Sequence, residues 1–414
     1  MVAVDRHPIR LVVTDGFERS RLTVFFRLLL AIPHLFWLSA WSFGALVVAV
    51  VAWVVTLAKG RLPVPLHDFF VQYVRYTTHV YAYVYLAADP YPGFTGAPGY
   101  PVDVEIDPPA AQRRWRTALR GLLAFPALLL GSALAGVGPG SGSSSQIAGA
   151  SAAAFLGWFA CLAQGRMPQG FRNLVAYALR YLAQASGYLF FLTDRYPDAD
   201  PAVDLPGAQP EHPVRLAVAE DLRRSRLTVF FRLLLAFPHL LWVTLWWLAA
   251  LLAVVASWAA TLVRGRSPAA LHRFLAAYVR YSTHVSAFLY LVANPFPGFT
   301  GAAGSYPLDI EIDPPDRQLR WMVALRPVLA VPALVVSSAL GSALGLVGLF
   351  GWFAALVTGR MPRGLARLGA FILRYSAQTS AYLCLLTDRY PHSGPEGGEE
   401  PALAALEPSL PVAA

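Results

Sequence analysis

The sequence is poor in charge. Of its 414 residues, only 14% are Asp, Glu, Lys or Arg and 56% are hydrophobic, whereas soluble domains have about 25% charged and 45–50% apolar residues. Four stretches of 31, 45, 31 and 33 residues carry no charged residue at all. They lie between Arg27 and Lys59, Arg120 and Arg166, Arg232 and Arg264, and Arg326 and Arg360. Since about 20 apolar residues cross a bilayer, we expect an integral membrane protein rather than a large soluble α-bundle.

Cysteine, lysine and catalytic motifs are also scarce. The two cysteines, Cys161 and Cys384, occupy unrelated positions in apolar segments, which argues against a disulfide framework or a cysteine metal cluster. One lysine, Lys59, accompanies 32 arginines, which indicates a GC-rich and therefore bacterial genome. The sequence has no H-E-x-x-H motif, no Walker lysine motif and no G-x-S-x-G motif. We therefore expect no enzymatic activity, no cofactor and no nucleic-acid partner.

Several landmarks recur four times in the same order. A G-R-x-P motif is preceded by a Trp seven residues upstream and followed by an Arg-Tyr pair fourteen residues after its arginine. Further upstream each copy has R-x-x-L-A-x-P. The chain is thus predicted to contain four tandem units, residues 7–99, 100–197, 212–304 and 305–391. The remaining parts are a Gly/Ser insertion at 136–146, a linker at 198–211 and a disordered tail at 392–414.

Each unit begins with alternating apolar residues, as in Ile9, Leu11 and Val13 of unit one. This period of two predicts a half-buried strand. Because open strand edges are not tolerated in hydrocarbon, the four strands could together form one small cytoplasmic sheet.

The apolar run that follows is too long for one straight crossing of the bilayer. It can be either a hairpin of two short spans or one long span kinked at the proline. We favour the hairpin, because the Gly/Ser insertion of unit two must emerge from the far side and divides that run into Thr117–Ala135 and Ile147–Gln164. The segments SAWSFG and TLWWL would then be far-side loops of units one and three. Arg27 would be a shallow residue whose charge reaches back to the headgroups.

The third element of each unit is an amphipathic helix, from Leu66 to Ala88 in unit one. Its polar positions fall on one helical face, and we favour placement in the membrane interface because charges at mid-bilayer are costly. All units run parallel, with the charged face and the C-terminal tail on the cytoplasmic side by the positive-inside rule.

The string SRLTVFFRLLLAIPHL, followed by G-R-x-P, the Arg-Tyr pair and LTDRYP, resembles the domain-of-unknown-function family numbered 4389. These are uncharacterised bacterial membrane proteins. The resemblance covers nearly the whole chain as tandem copies, and it implies a membrane location without any known activity.

Two groups of polar residues are candidate sites. The stripe on the amphipathic helices could bind lipid headgroups or another anion, or could simply anchor the helices. It consists of Arg75, Arg180, Arg280, Arg374, His79, Gln184, His284 and Gln378. Acidic residues on two strands are weak candidates for a hard metal ion, although pairing with Arg10 and Arg215 across strands is the favoured interpretation. They are Asp103, Glu105, Asp107, Asp309, Glu311 and Asp313.

These features favour a multi-pass protein of the bacterial plasma membrane that acts as a non-enzymatic scaffold or accessory factor. Its expected partners are the bilayer, including anionic phospholipids, and another membrane protein. The alternative is a transporter or a lipid-binding or anion-binding membrane protein that uses the repeated Arg/His/Gln stripe.

Overall fold

The computed structural model describes residues 7–136, 147–201, 212–219 and 221–395. Most of the predicted insertion and linker, and the predicted tail from residue 396 onward, lie outside these ranges. Residues 392–395 are packed against the last helix, so folded structure continues past the predicted start of the tail.

Every unit contains a strand, a long apolar helix or series of helices, and a helix of 21 residues that we call the short helix. Unit one comprises β1 (Ile9–Val13), α1 (Arg21–Lys59) and α2 (Val64–Val84). Unit two comprises β2 (Val102–Ile106), α3 (Arg114–Ala118), α4 (Arg120–Ala135), α5 (Gly149–Gln164) and α6 (Gln169–Leu189). Unit three comprises β3 (Val214–Val218), α7 (Arg226–Phe230), α8 (Arg232–Arg264) and α9 (Ala269–Leu289). Unit four comprises β4 (Leu308–Ile312), α10 (Arg320–Leu329), α11 (Val331–Thr358) and α12 (Arg363–Leu383).

The predicted hairpins are wrong, because the apolar run of units one, three and four is a long helix without an intervening loop. α1 is one continuous helix of 39 residues, about 58 Å long at 1.5 Å per residue. The segment predicted as a far-side loop is helical, since Ser39 and Ser42 donate hydrogen bonds to the carbonyl oxygens of Leu35 and Leu38 within the helix. The TLWWL segment of unit three likewise lies inside α8. Within the described part of the chain, three segments are long and apolar enough to cross a membrane: Arg21–Lys59, Arg232–Arg264 and Arg320–Thr358.

Unit two has two helices in place of one, but they run end to end rather than side by side. Arg120 at the start of α4 lies over the Tyr188 ring near the end of α6. Gly131 lies against Tyr181 in the middle of α6, and Gly157 of α5 lies against Met167 just before α6 begins. This progression along α6 shows that α4 and α5 together replace the single long helix of unit one.

The strands form two separate antiparallel ribbons, so the expectation of one four-stranded sheet is not met. β1 pairs with β2, and β3 pairs with β4. Each ribbon packs on the two short helices of its own half, with β1 on α6, β2 on α2, β3 on α12 and β4 on α9. Side chains of the short helices donate hydrogen bonds to backbone carbonyl oxygens on the outer edges of the ribbons. These edges are therefore partly paired without a further strand.

The chain is built from two halves, and each half is a reciprocal pair of units. The residue two positions before each long-helix segment donates its backbone N–H to the G-R-x-P turn of its partner unit. Arg19 N bonds to Gly165 O and Gln112 N to Gly60 O, each at 2.8 Å. The second half repeats this with Arg224 to Gly359 and Gln318 to Gly265. The halves meet where α11 packs on α4 and α5.

Candidate functional site

Four arginines inside the apolar runs are buried clamps rather than headgroup anchors. Arg27 is 1% exposed and donates from Nη1 to the carbonyl oxygens of Tyr83 and Ala88, both at 2.9 Å. Its Nη2 donates to Asp89 Oδ1 at 2.7 Å. In the other units, Arg232 and Arg326 bind both corresponding carbonyl oxygens, and Arg120 binds Thr193 O, the equivalent of Ala88 O. The negative end of each short helix thereby receives a fixed positive charge, and the predicted snorkelling of Arg27 is wrong.

A second clamp, which the sequence analysis missed, stands eight residues before each of these arginines. Arg19 donates to the carbonyl oxygens of Leu86 and Ala87 at 3.0 and 2.8 Å. Unit three has Arg224 at this position, whereas units two and four have Gln112 and Gln318, which donate to the equivalent carbonyls. The sequence signal that could have identified this clamp is an Arg or Gln eight residues before the buried arginine in all four units.

The carbonyls reach these clamps because the chain turns sharply after each short helix. The turn uses a residue with a left-handed backbone at each of four equivalent positions: Leu86, Phe191, Leu291 and Leu385, with φ between 56 and 62°. Bulky side chains rarely adopt this conformation, so the two clamps must hold the turn in place.

The repeated tryptophans also connect partner units. Trp53 Nε1 donates to Thr117 O at 2.9 Å, and Trp158 Nε1 donates to Val24 O at 3.0 Å. Trp258 and Trp352 make the same contacts in the second half. Together with the G-R-x-P turns, they fasten each long helix to its partner at both ends.

The predicted polar stripe lies between the short helices and the ribbons. Arg75 Nε donates to Val104 O, and Arg280 Nε donates to Ile310 O, each at 2.9 Å. In the even units, Gln184 and Gln378 donate to the backbone of β1 and β3, to Ile9 O and Val214 O respectively, each at 3.1 Å. Arg180 and Arg374 bind the carbonyl oxygens of Asp200 and Gly394, where the chain passes over the short helices.

A histidine–aspartate pair joins the short helix of each odd unit to the strand of the following even unit. His79 Nε2 lies 2.9 Å from Asp103 Oδ1, and His284 Nε2 lies 3.0 Å from Asp309 Oδ1. Burial of Asp103 would by itself raise its pKa. Hydrogen bonds from His79 and from the backbone N–H groups of Gly99 and Val104 outweigh this, so the pKa of Asp103 is lowered overall. The pKa of Asp309 is lowered in the same way.

Both pairs adjoin surface cavities. The cavity of unit three has a volume of about 780 Å³ and is lined by Arg280, Tyr306, Asp309 and Glu311. The equivalent cavity of unit one, about 220 Å³, is lined by His79 and by the loop from Gly93 to Tyr100. Because two carboxylates accompany one guanidinium in the larger cavity, its charge favours no simple anion.

The remaining acidic residues of the ribbons pair with arginine across the strands. This is the interpretation that the sequence analysis favoured over a metal site. Arg10 lies opposite Glu105 in register and contacts Glu105 at 3.4 Å and Asp107 at 3.1 Å. Arg215 makes the same contacts with Glu311 and Asp313. Among the described residues, no three His, Cys, Asp or Glu side chains are grouped so that they could hold a metal ion.

The long helices present an extensive apolar surface. α1 buries only a narrow stripe that runs from Val24 through Ala31 and Leu38 to Ala52. The other faces of the helix leave large side chains exposed along its whole length, including Leu22, Phe36, Phe43 and Val54. α8 does the same, with Leu233, Leu234, Trp247 and Leu252. A surface of this size is not stable in water and marks contact with lipid or protein.

A family model described as "Domain of unknown function (DUF4389)" matches the chain four times, at residues 21–95, 146–199, 226–300 and 320–393. The matched segments cover more than half of the chain and fall one in each unit. The chain belongs to this family. In units one, three and four the DUF4389 segment contains the long apolar helices and the short helix, whereas in unit two it contains only α5 and α6. The strands lie outside all four matches. Comparison with curated proteins and with solved structures gives no match.

Proposed function

We propose that this DUF4389 protein is a non-enzymatic scaffold or accessory factor embedded in the bacterial plasma membrane, with its charged face toward the cytoplasm. The exposed apolar surface of the long helices carries the membrane assignment. The excess of arginine on the polar side supports the orientation.

The scaffold role is supported by the use that the fold makes of its repeated residues. The clamp arginines, the tryptophans and the G-R-x-P turns form bonds between or within units. The stripe residues bind ribbon backbone or the chain passing over the short helices. Residues that recur in this chain therefore serve its framework, as expected for a protein that presents a rigid surface.

The His–Asp pairs test whether the role is catalytic. Both pairs adjoin a cavity, yet units two and four carry glutamine at the helical position of the histidine. We expect the double variant His79→Gln/His284→Gln to restore a deletion strain as well as the wild type does. A folded and membrane-inserted variant that fails to complement, or turnover of any substrate by the purified protein, would contradict the non-enzymatic proposal.

Transport or anion binding through the stripe has less support, because its arginines already bind backbone carbonyls and the larger cavity is rich in carboxylate. Binding of anionic phospholipid to the protein in nanodiscs should therefore be unchanged in Arg75→Gln/Arg280→Gln. A large loss of binding in a folded variant would favour the alternative. Arg374 is unsuitable for this comparison because it is buried.

A further inference from the structure

The ribbons lie beside the middle of the long helices. β2 runs along α2, with Asp107 O 3.2 Å from His67 Nε2 at one end and Asp103 at His79 at the other. On a different face, the same part of α2 contacts the centre of α1. There Tyr76 reaches His34 at 2.8 Å and Tyr73 reaches Ser42 at 2.9 Å.

This placement conflicts with long helices that cross the bilayer. A hydrocarbon core of about 30 Å centred on α1 would also contain the ribbon. The side chains of Arg10, Glu105 and Asp107 are 39%, 58% and 48% exposed. Each charge at mid-bilayer costs at least about 2.5–3.5 kcal/mol, and the second ribbon would add the same three charges.

The charged ends and the length of the long helices also argue against a crossing of the bilayer. α1 begins at Arg21 and ends at Lys59, and both residues are exposed. Its length of about 58 Å is nearly twice the hydrocarbon thickness. A helix lying in the membrane plane keeps both charged ends at one interface and needs no match to the bilayer thickness.

We propose that the long helices lie in the plane of the membrane within one leaflet, so that the protein enters the bilayer from one side and does not cross it. The short helices form a layer on the water side of the apolar helices. The ribbons lie on top of this layer and face water. The occupant of the apolar face is the acyl-chain region of a single leaflet, which suits helices that are apolar on nearly all sides. This proposal rests on the proposed membrane embedding and replaces the multiple crossings expected from the sequence.

Labelling of single cysteines tests it. Cys161 and Cys384 are buried and are replaced by alanine. Cysteine is then placed at Arg21, Lys59 or Glu105 of the full chain in oriented membrane vesicles, and each variant is treated with a membrane-impermeant maleimide. We expect all three positions to react from the same side.

Reaction of Arg21→Cys and Lys59→Cys from opposite sides would overturn the in-plane proposal. So would a Glu105→Cys variant that reacts only after detergent is added. Alkaline carbonate extraction separates this failure from failure of the proposed function, because release of the protein into the supernatant would show that it is not embedded at all. Spin labels at Leu22, Phe43 and Val54 give a second readout. Similar depths support the in-plane arrangement, and a deep middle with two shallow ends contradicts it.

Discussion

At the residue scale, the buried arginine clamps fix the C-terminal ends of the short helices. Arg27 binds two carbonyl oxygens and a carboxylate at one helix end, and its guanidinium lies 4.4 Å above the Tyr83 ring centre. Removing the guanidinium leaves these buried carbonyl oxygens without a donor, at a cost of about 1–3 kcal/mol for each.

We expect Arg27→Ala to lower the free energy of unfolding by about 3 kcal/mol, because two buried acceptors lose their donor. A fall in Tm of the protein in detergent or nanodiscs would measure this. Arg21→Ala, on the exposed start of the same helix, is the control and should change stability by less than about 0.5 kcal/mol. Equal effects of the two substitutions would rule out the clamp.

The charge of Asp89 is expected to contribute little to the stability that this clamp provides. Unit three has Asn294 where unit one has Asp89, and Arg232 Nη2 donates to Asn294 Oδ1 at 3.1 Å. Asp89→Asn reproduces that arrangement in unit one, so we expect a loss of no more than about 1 kcal/mol. A loss as large as that of Arg27→Ala would show that the charge, rather than the hydrogen bonds, fixes the turn.

The Asp103 and Asp309 pairs predict a pH dependence. Since the pKa of each carboxyl is lowered in the folded protein, the stabilisation is fully present above the unfolded value of about 3.9. It is lost as the pH falls through the folded value. The Tm advantage of the wild type over Asp103→Asn/Asp309→Asn should be constant near neutral pH and shrink below about pH 4. An advantage that does not change with pH would contradict this.

Residue types and positions could be predicted from the sequence, but most of their partners could not. The spacing identified Arg27 and its equivalents as a repeated feature, yet their carbonyl partners lie 56 and 61 residues away. The turn that presents those carbonyls depends on a left-handed leucine, which no local sequence preference predicts. The Arg10–Glu105 pairing was predicted correctly because alternation within strands limits which side chains share a face.

At the scale of elements, the existence of strands, apolar runs and amphipathic helices followed from hydrophobic periodicity. Whether the apolar run bends could not be decided from composition alone, because Ser39, Ser42 and Gly44 suit a loop but are also compatible with a helix in an apolar environment. The Gly/Ser insertion of unit two pointed to a loop on the far side, whereas α4 and α5 run end to end.

The loop after α2 offers a test of how an irregular segment is fixed to a helix. Gly96 has a φ of 65°, and a Cβ atom added there would overlap the carbonyl oxygen of Gln72 in α2. Gly96→Ala should therefore lower stability by about 1–3 kcal/mol, measured as a shift in Tm. Gly93→Ala is the matched control in the same loop, since a Cβ atom there meets nothing within 4 Å. If both variants were equally stable, the loop would not be docked on α2 as described.

At the scale of the whole molecule, fourfold repetition was evident from the sequence, but the pairing of units was not. Landmarks in register show that units are alike, whereas the reciprocal bonds from Arg19 to Gly165 and from Gln112 to Gly60 show which units need each other. One ribbon in each half takes one strand from each partner. A unit on its own therefore lacks both a strand partner and the contacts that close its G-R-x-P turn.

This pairing predicts which fragments of the chain are stable. Residues 7–201 contain a complete half and should give a folded, monodisperse protein in detergent. Residues 7–99 contain one unit and should be obtained folded only as a self-associated pair, since its Trp53 and strand β1 otherwise lack their partners. Size-exclusion chromatography with light scattering, together with Tm, distinguishes these states. A stable monomer of residues 7–99 would show that the reciprocal bonds are dispensable, and an unfolded 7–201 would show that the contacts of α11 with α4 and α5 are required even within the first half.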